Sequence, residues 1–278
     1  MTKFGDSLQE ISVLKKSLVT IGLDPDPDKM PVSDVFEFCK LIIDYTEVFT
    51  AAYKPNMGFF EAFGLEGLKS LEKVIDHIKS NYPDVLIIGD AKRGDIAPTS
   101  SKYAYAMFEI WDFDAVTVNA FSGLDSIEPF LKYTDRGVFV WCKSSNPDGY
   151  QLQDLIVKGT SDRKIFQIIA EYCVSWNNEG NLGLIVGATY PEELKIVRDI
   201  VGELPILVPG IGSQSGDLEA SVRAGLGREN HGLLVSSSRG IIYASSDPNN
   251  FGPAAANASS NLRENINNIL ADLGRSFI

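Results

Sequence analysis

VLIIGDAKRGD, residues 85–95, begins as an unbroken apolar run and ends in four charged residues. A run that is apolar at consecutive positions, not alternate ones, is how a strand buried on both faces reads. Such strands belong to parallel sheets. A parallel α/β sheet carries its chemistry at the carboxyl ends of its strands, and the charges fall at that end.

The pattern recurs along the chain in VTIGLD (19–24), AAYKPN (51–56), AVTVN (115–119), GVFVWCK (137–143), GLIVGA (183–188), PILVPGI (205–211) and GLLVSSS (232–238). Between these runs lie stretches of helical period, among them 35–49, 65–82, 163–178 and 191–202. A final helix is expected over 261–273, with Leu262, Ile266, Ile269, Leu270 and Leu273 on one stripe; 245–260 reads as a loop. Eight strands, each followed by helical sequence, fit a single closed (β/α)8 TIM barrel of the α/β class. The 278 residues suit one such domain over 1–278, since roughly 250 is usual for the fold. A doubly wound open sheet is the alternative, but no GxGxxG fingerprint follows the first strand.

Composition narrows the function. Lys and Arg total 25 against 37 Asp and Glu, a formal net charge of −12. An acidic chain is a poor partner for nucleic acid or an anionic bilayer, though a local basic pocket for a small anion remains open. No apolar run approaches the roughly 20 residues that span a membrane. The mixed-charge start MTKFGDSLQE lacks an apolar signal core. Cys39, Cys142 and Cys173 form no CxxC or Cys/His spacing, and His77 and His231 are too few for a histidine metal cage. A cytoplasmic protein is expected. Trp111, Trp141 and Trp176 are expected in or near the core.

Polar residues collect where a barrel would need them. Asp24 closes the first run, Lys54 and Asn56 the second, Asp90 and Lys92 the third and Asn119 the fourth; Ser144, Ser145 and Asn146 follow the fifth. Side chains two apart on a strand share a face, so Asp90 and Lys92 point together into the mouth, with Asp95 in the loop beyond. An Asp–Lys–Asp array would keep its lysine cationic, ready to donate a proton beside carboxylates that repel an anionic group. The same residues could form a structural salt-bridge network. Arg93 points the other way, toward a helix or a subunit neighbour. Lys54 could be a rim lysine and Asp24 a turn cap.

After the seventh run comes PGIGSQSGD (209–217), and after the eighth SSSRG (236–240). Loops in these two places often hold phosphate in barrels. The glycines let backbone N–H groups approach an anion, and Arg239 adds a charge-assisted grip. An ordinary turn plus a surface arginine is the plainer alternative.

Together the segments resemble the orotidine 5′-phosphate decarboxylase family, in its longer bacterial-type branch without a fused orotate phosphoribosyltransferase domain. The resemblance rests on GLDPDP, YKPN (53–56), DAKRGDI (90–96), TVNAFSGLDSIEPF (117–130), CKSSNP (142–147), VPGIGSQSGD (208–217) and SSSRGIIYAS (236–245), which occur in family order. It implies decarboxylation of orotidine 5′-monophosphate to UMP without metal or cofactor, by a homodimer in which Asp95 and Ile96 reach the partner's site. Lys92 would protonate C6, with Asp90 beside the departing carboxylate and Lys54 and Asp95 completing the array. Asp24, Lys54 and Asp95 would also meet the ribose. Ser145 would bond the pyrimidine, and Thr99 would add a lesser contact from the partner. Gln214 and Arg239 would hold the phosphate with backbone help around Ser238, and Asn119 and Pro209 would also bind the substrate. One departure is Ala120 where a proline is expected, which costs rigidity but no chemistry. The stretch 149–162 is expected to cover the pyrimidine side of the pocket.

Two alternatives remain. Magnesium-dependent sugar-phosphate enzymes of the same superfamily share DxKxxD, but they hold the cation partly by a carboxylate at the end of strand two, where this chain has Lys54. An inactive phosphate-binding barrel would keep Arg239 and lose the charged array.

Overall fold

The computed structural model describes residues 4–159, 161–211, 217–228 and 232–277. Eight parallel strands close on themselves: β1 (Val19–Leu23), β2 (Ala52–Pro55), β3 (Leu86–Arg93), β4 (Ala115–Val118), β5 (Gly137–Lys143), β6 (Leu182–Val186), β7 (Ile206–Pro209) and β8 (Leu233–Ser237). Neighbours pair in chain order and β8 returns to β1, with Val19 opposite Val235 and Ile21 opposite Ser237. The fold is therefore the TIM barrel that the eight apolar runs predict. Both faces of each strand are buried because helices cover the outside and side chains fill the inside, which explains the absence of alternation in the sequence.

The helices follow their amphipathic stripes. Val35–Thr46 starts at Asp34, whose carboxylate accepts from the Glu37 amide, and buries Phe38, Cys39, Ile42 and Ile43 against the barrel wall. Gly64–Asn81 buries Leu71, Val74, Ile75 and Ile78. Leu218–Gly225 is capped by Asp217, which accepts from the Ala220 amide. Each such cap satisfies one of the orphan donors of a helix start.

The amino-terminal end of the barrel is closed by a helix over Phe4–Lys15. Phe4 enters the interior edge-on to Phe139, at 5.8 Å between ring centres. It fits because Gly137 has no side chain: a Cβ there would lie 2.5 Å from the Phe4 ring. The opposite, carboxyl end stays open.

One sequence expectation needs correction. The last helix is Phe251–Asp272, ten residues longer at its start than the apolar stripe suggests. Gly252 and Pro253 read as loop residues, yet Pro253 lies in the first turn, where no amide partner is lost. Gly252 packs against Tyr45, whose ring would be 2.5 Å from an added Cβ. Loop chemistry here serves a close helix start. The stretch after β5 carries its own small elements: Pro147–Gly149 and Tyr150–Gln153 form two short turns of helix, and Ile156–Val157 pairs antiparallel with Arg163–Lys164. Among the described residues, no helix is long and apolar enough to cross a membrane.

Candidate active site at the carboxyl ends of the strands

The open end holds a cavity whose lining includes Asp24, Lys54, Asn56, Asp90, Lys92, Ser144, Ser145, Asn146, Pro209, Ser238 and Arg239, with Ile185 and Leu207 at its base. Strand register assembles it. Lys54 lies opposite Gly22, which has no side chain, and Asn56 bridges Asp90. The bare Gly22 also admits Ser238, whose Cβ would be 2.8 Å from a Cβ added to Gly22.

Asp90 is the hub. Its Oδ2 accepts from Lys54 Nζ at 2.5 Å, and its Oδ1 from Lys92 Nζ at 2.5 Å and from Thr117 Oγ1 at 3.0 Å. Asp90 and Lys54 are buried, whereas the Lys92 side chain keeps 39% of its surface in solvent. Burial by itself would raise the Asp90 pKa, but Lys54 and Lys92 outweigh it and hold the carboxyl far below the usual carboxylate range. Burial likewise opposes the Lys54 ammonium, yet Asp90 and Asp24 keep its pKa above the ordinary lysine value. The site is thus a fixed carboxylate between two cations, one sealed and one facing the opening.

Lys92 does not reach this position along a regular strand. The β3–β4 register shifts between Gly89 and Arg93, and Lys92 has φ of 48°, in the left-handed region that a non-glycine residue seldom adopts. Thr117 holds the bulge: its Oγ1 accepts from the Ala91 and Lys92 amides, each at 3.0 Å, while donating to Asp90. A hydroxyl has one donor and two acceptor sites, and all three are used. Bulges of this kind re-aim side chains beside active sites. Arg93 turns away to Glu61, at 2.5 Å.

At the other side of the cavity, Asp24 accepts a short hydrogen bond from Ser238 Oγ through its Oδ2. Its Oδ1 is buried without a partner. The Asp24 carbonyl accepts from Tyr243 Oη at 2.6 Å, which fixes the loop after β1. Arg239 opens a four-residue helical turn and is exposed at the rim. Pro209, Gly210 and Ile211 line the adjoining wall. Gln214 lies outside the described residues.

Not every expected residue enters the cavity of its own chain. Asp95 is exposed, and its Oδ1 accepts from the Ile96 amide at 2.6 Å. Ile96 is 64% exposed, and Thr99 lies on the helix Ala97–Tyr105 beyond it. Asn119 is exposed, accepts from the Phe121 amide at 3.0 Å, and lines a neighbouring apolar pocket. Two contributors escaped sequence reasoning. Thr117 and Trp141 look like ordinary strand residues, yet one ties the bulge and the other lies in the wall, its ring centre 5.8 Å from Lys92 Nζ. Their only sequence signal is position, at or near a strand's carboxyl end.

A closed parallel barrel with a buried carboxylate between two lysines at its carboxyl end defines a TIM-barrel enzyme. Over residues 17–252 the sequence matches the profile described as the orotidine 5′-phosphate decarboxylase / HUMPS family. It is 44% identical over 258 residues to the orotidine 5′-phosphate decarboxylase of Cupriavidus necator, covering 90% of this chain and 93% of that one. To the enzyme of that name from Dechloromonas aromatica it is 43% identical, over 95% of this chain and 98% of the other. Among solved structures, Leishmania donovani OMP decarboxylase superposes with a TM-score of 0.84 at 39% identity, over 96% of this chain and 99% of that one. Leishmania donovani UMP synthase superposes at 0.87 and 40% identity over 97% of this chain, which spans 57% of that longer chain. The chain belongs to the orotidine 5′-phosphate decarboxylase / HUMPS family, and it is an enzyme of the carboxy-lyase class.

Proposed function

We propose that the chain converts orotidine 5′-monophosphate to UMP and CO2, the last step of de novo pyrimidine synthesis, without metal or cofactor. The observation that carries this reading is the geometry of Lys92, a solvent-reaching ammonium held 2.5 Å from a buried carboxylate at the mouth of the cavity.

In this reading Arg239, the backbone around Pro209 and Ser238, and Gln214 hold the phosphate. The unpartnered Oδ1 of Asp24 accepts from a ribose hydroxyl, with Lys54 nearby. Ser145 meets the pyrimidine. The substrate carboxylate then lies against Asp90, which the two lysines keep anionic. The C6–carboxylate bond breaks, CO2 departs, and the electron pair remains on C6. Lys92 delivers its proton to that carbon and regains one from solvent through its exposed face. Preformed positive charge where the carbanion develops is worth more in a partly dry site than in water. Grip on the remote phosphate supplies binding energy that orients the reacting end.

The exposure of Asp95 and Ile96 outside their own cavity supports their reaching a second copy's site in a homodimer, with Thr99 and Asn119 as lesser contacts. Lys54 at the end of β2 argues against the magnesium-dependent relatives, because an ammonium repels a cation and offers no oxygen ligand. Three buried free thiols fit a reducing cytoplasm. The test is loss of orotidylate absorbance on mixing substrate with protein in excess chelator. Turnover under those conditions is expected. No turnover, with activity on a sugar phosphate once magnesium is restored, would overturn the proposal.

A further inference from the structure

The turn carrying Ser144 and Ser145 is held from outside the barrel. The β5–β6 register shifts between Trp141 and Lys143. Trp141 therefore lines the cavity while Lys143, two residues on, leaves it for the outer side. There its side chain is fully buried, and its ammonium donates to both oxygens of Asp154 at 2.9 and 2.8 Å, over the Tyr190 ring at 4.7 Å. A buried lysine is tolerated only when paired and hydrogen-bonded. The residue before Asp154 makes the second tie: Gln153 Oε1 accepts from the Ser144 amide at 3.0 Å.

The packing leaves this turn little freedom. A Cβ on Gly149 would lie 2.9 Å from Ser144 Oγ, and one on Gly187 would lie 2.7 Å from the Ser145 amide nitrogen. Lys143, Gln153, Asp154 and Gly187 stand outside the cavity lining, so none of them is placed to touch a ligand there.

We infer that Gln153 and Asp154 are positioning residues for the heterocyclic base of the substrate. Asp154 acts through Lys143 and Gln153 through the Ser144 amide, and together they fix the height and tilt of Ser145. The inference rests on the proposed reading in which Ser145 meets the base. It assigns the crossover after β5 a role in base affinity, distinct from the phosphate grip after β7 and β8.

The experiment compares wild type with Gln153→Met, Asp154→Ala and Asp154→Glu, with Tm recorded for each. KM and kcat are measured with orotidine 5′-monophosphate, and Ki with ribose 5-phosphate, which carries the sugar and phosphate but no base. Both Gln153→Met and Asp154→Ala are expected to raise KM about tenfold. They should leave kcat within about threefold and Ki for ribose 5-phosphate unchanged, since only base-dependent binding is lost. Asp154→Glu should recover part of the loss. Asp154→Ala strands a buried cation and can fail to fold; Gln153→Met keeps every charge and carries the test alone in that event. A wild-type KM in Gln153→Met, or equal weakening of both ligands, would overturn the inference. Absence of turnover in wild type would instead defeat the underlying reading of the site.

Discussion

Asp90 carries two ammonium groups and a threonine hydroxyl on a buried carboxylate. Its pKa in the folded chain is depressed, so its contribution to stability is complete above the unfolded value near 3.9 and fades as pH falls from there toward the folded value. Removing one member of a buried ion pair leaves the other charge uncompensated, at a cost of about 3 kcal/mol. Asp90→Asn should therefore unfold more easily than wild type by about that amount at pH 7. The gap should narrow below about pH 4, because the carboxyl takes up a proton in the unfolded wild-type chain while the folded one still resists it. Urea unfolding across pH measures it, and a gap independent of pH would contradict the assignment. Much at this scale is legible in the sequence, because a charge at the end of an apolar run has few other uses. Asp24, Lys54, Asp90, Lys92, Ser145, Pro209, Ser238 and Arg239 all line one cavity. Thr117 and Trp141 are not legible, because β-propensity alone explains a threonine or a tryptophan in a strand.

At the scale of elements, the sequence yields strands and helices through period and burial but not the irregularities that make the site. The bulges at 89–93 and 141–143 re-aim Lys92 and Lys143, and no residue pattern announces them. The start of the last helix is hidden by Gly252 and Pro253, which local preference assigns to a loop. Gly94 marks another close approach: a Cβ there would lie 2.0 Å from the Asn119 carbonyl oxygen. That contact also joins the ends of β3 and β4, where the Asn119 amide donates to the Arg93 carbonyl at 2.7 Å. Gly94→Ala should force the two strand ends apart, lowering stability by about 2 kcal/mol. It should also lower kcat/KM, because Asp95 and Ile96 follow directly. Thermal unfolding and steady-state kinetics on the variant test both, and unchanged values would show that the loop yields without cost.

At the scale of the molecule, the eight-stranded order follows from the eight buried runs, since a parallel sheet with a helix after each strand has few ways to close. The proposed reach of Asp95 into a second copy's active site is tested at this scale. In a symmetric dimer with shared sites, Lys92→Ala and Asp95→Ala would each spoil both sites of their own homodimer. A mixed dimer would place one intact Lys92 opposite one intact Asp95. Two nearly inactive variants, dissociated and reassociated together, should then recover about a quarter of wild-type activity, because half the dimers are mixed and each has one good site of two. Activity no greater than the sum of the separate variants would place Asp95 in its own chain's chemistry or outside catalysis.

Lys92 is the proposed proton donor. Its side chain is partly exposed and Asp90 keeps Lys54 as a partner, so its truncation should leave the barrel folded; kcat/KM for orotidine 5′-monophosphate is compared between wild type and Lys92→Ala in metal-depleted buffer with excess chelator. A proton donor that also stabilises the developing carbanion should be worth about 10⁴-fold or more. Fast turnover by wild type with a loss of that size in Lys92→Ala is the expected result. A variant within about tenfold of wild type would contradict the account, since that is less than a general acid alone contributes.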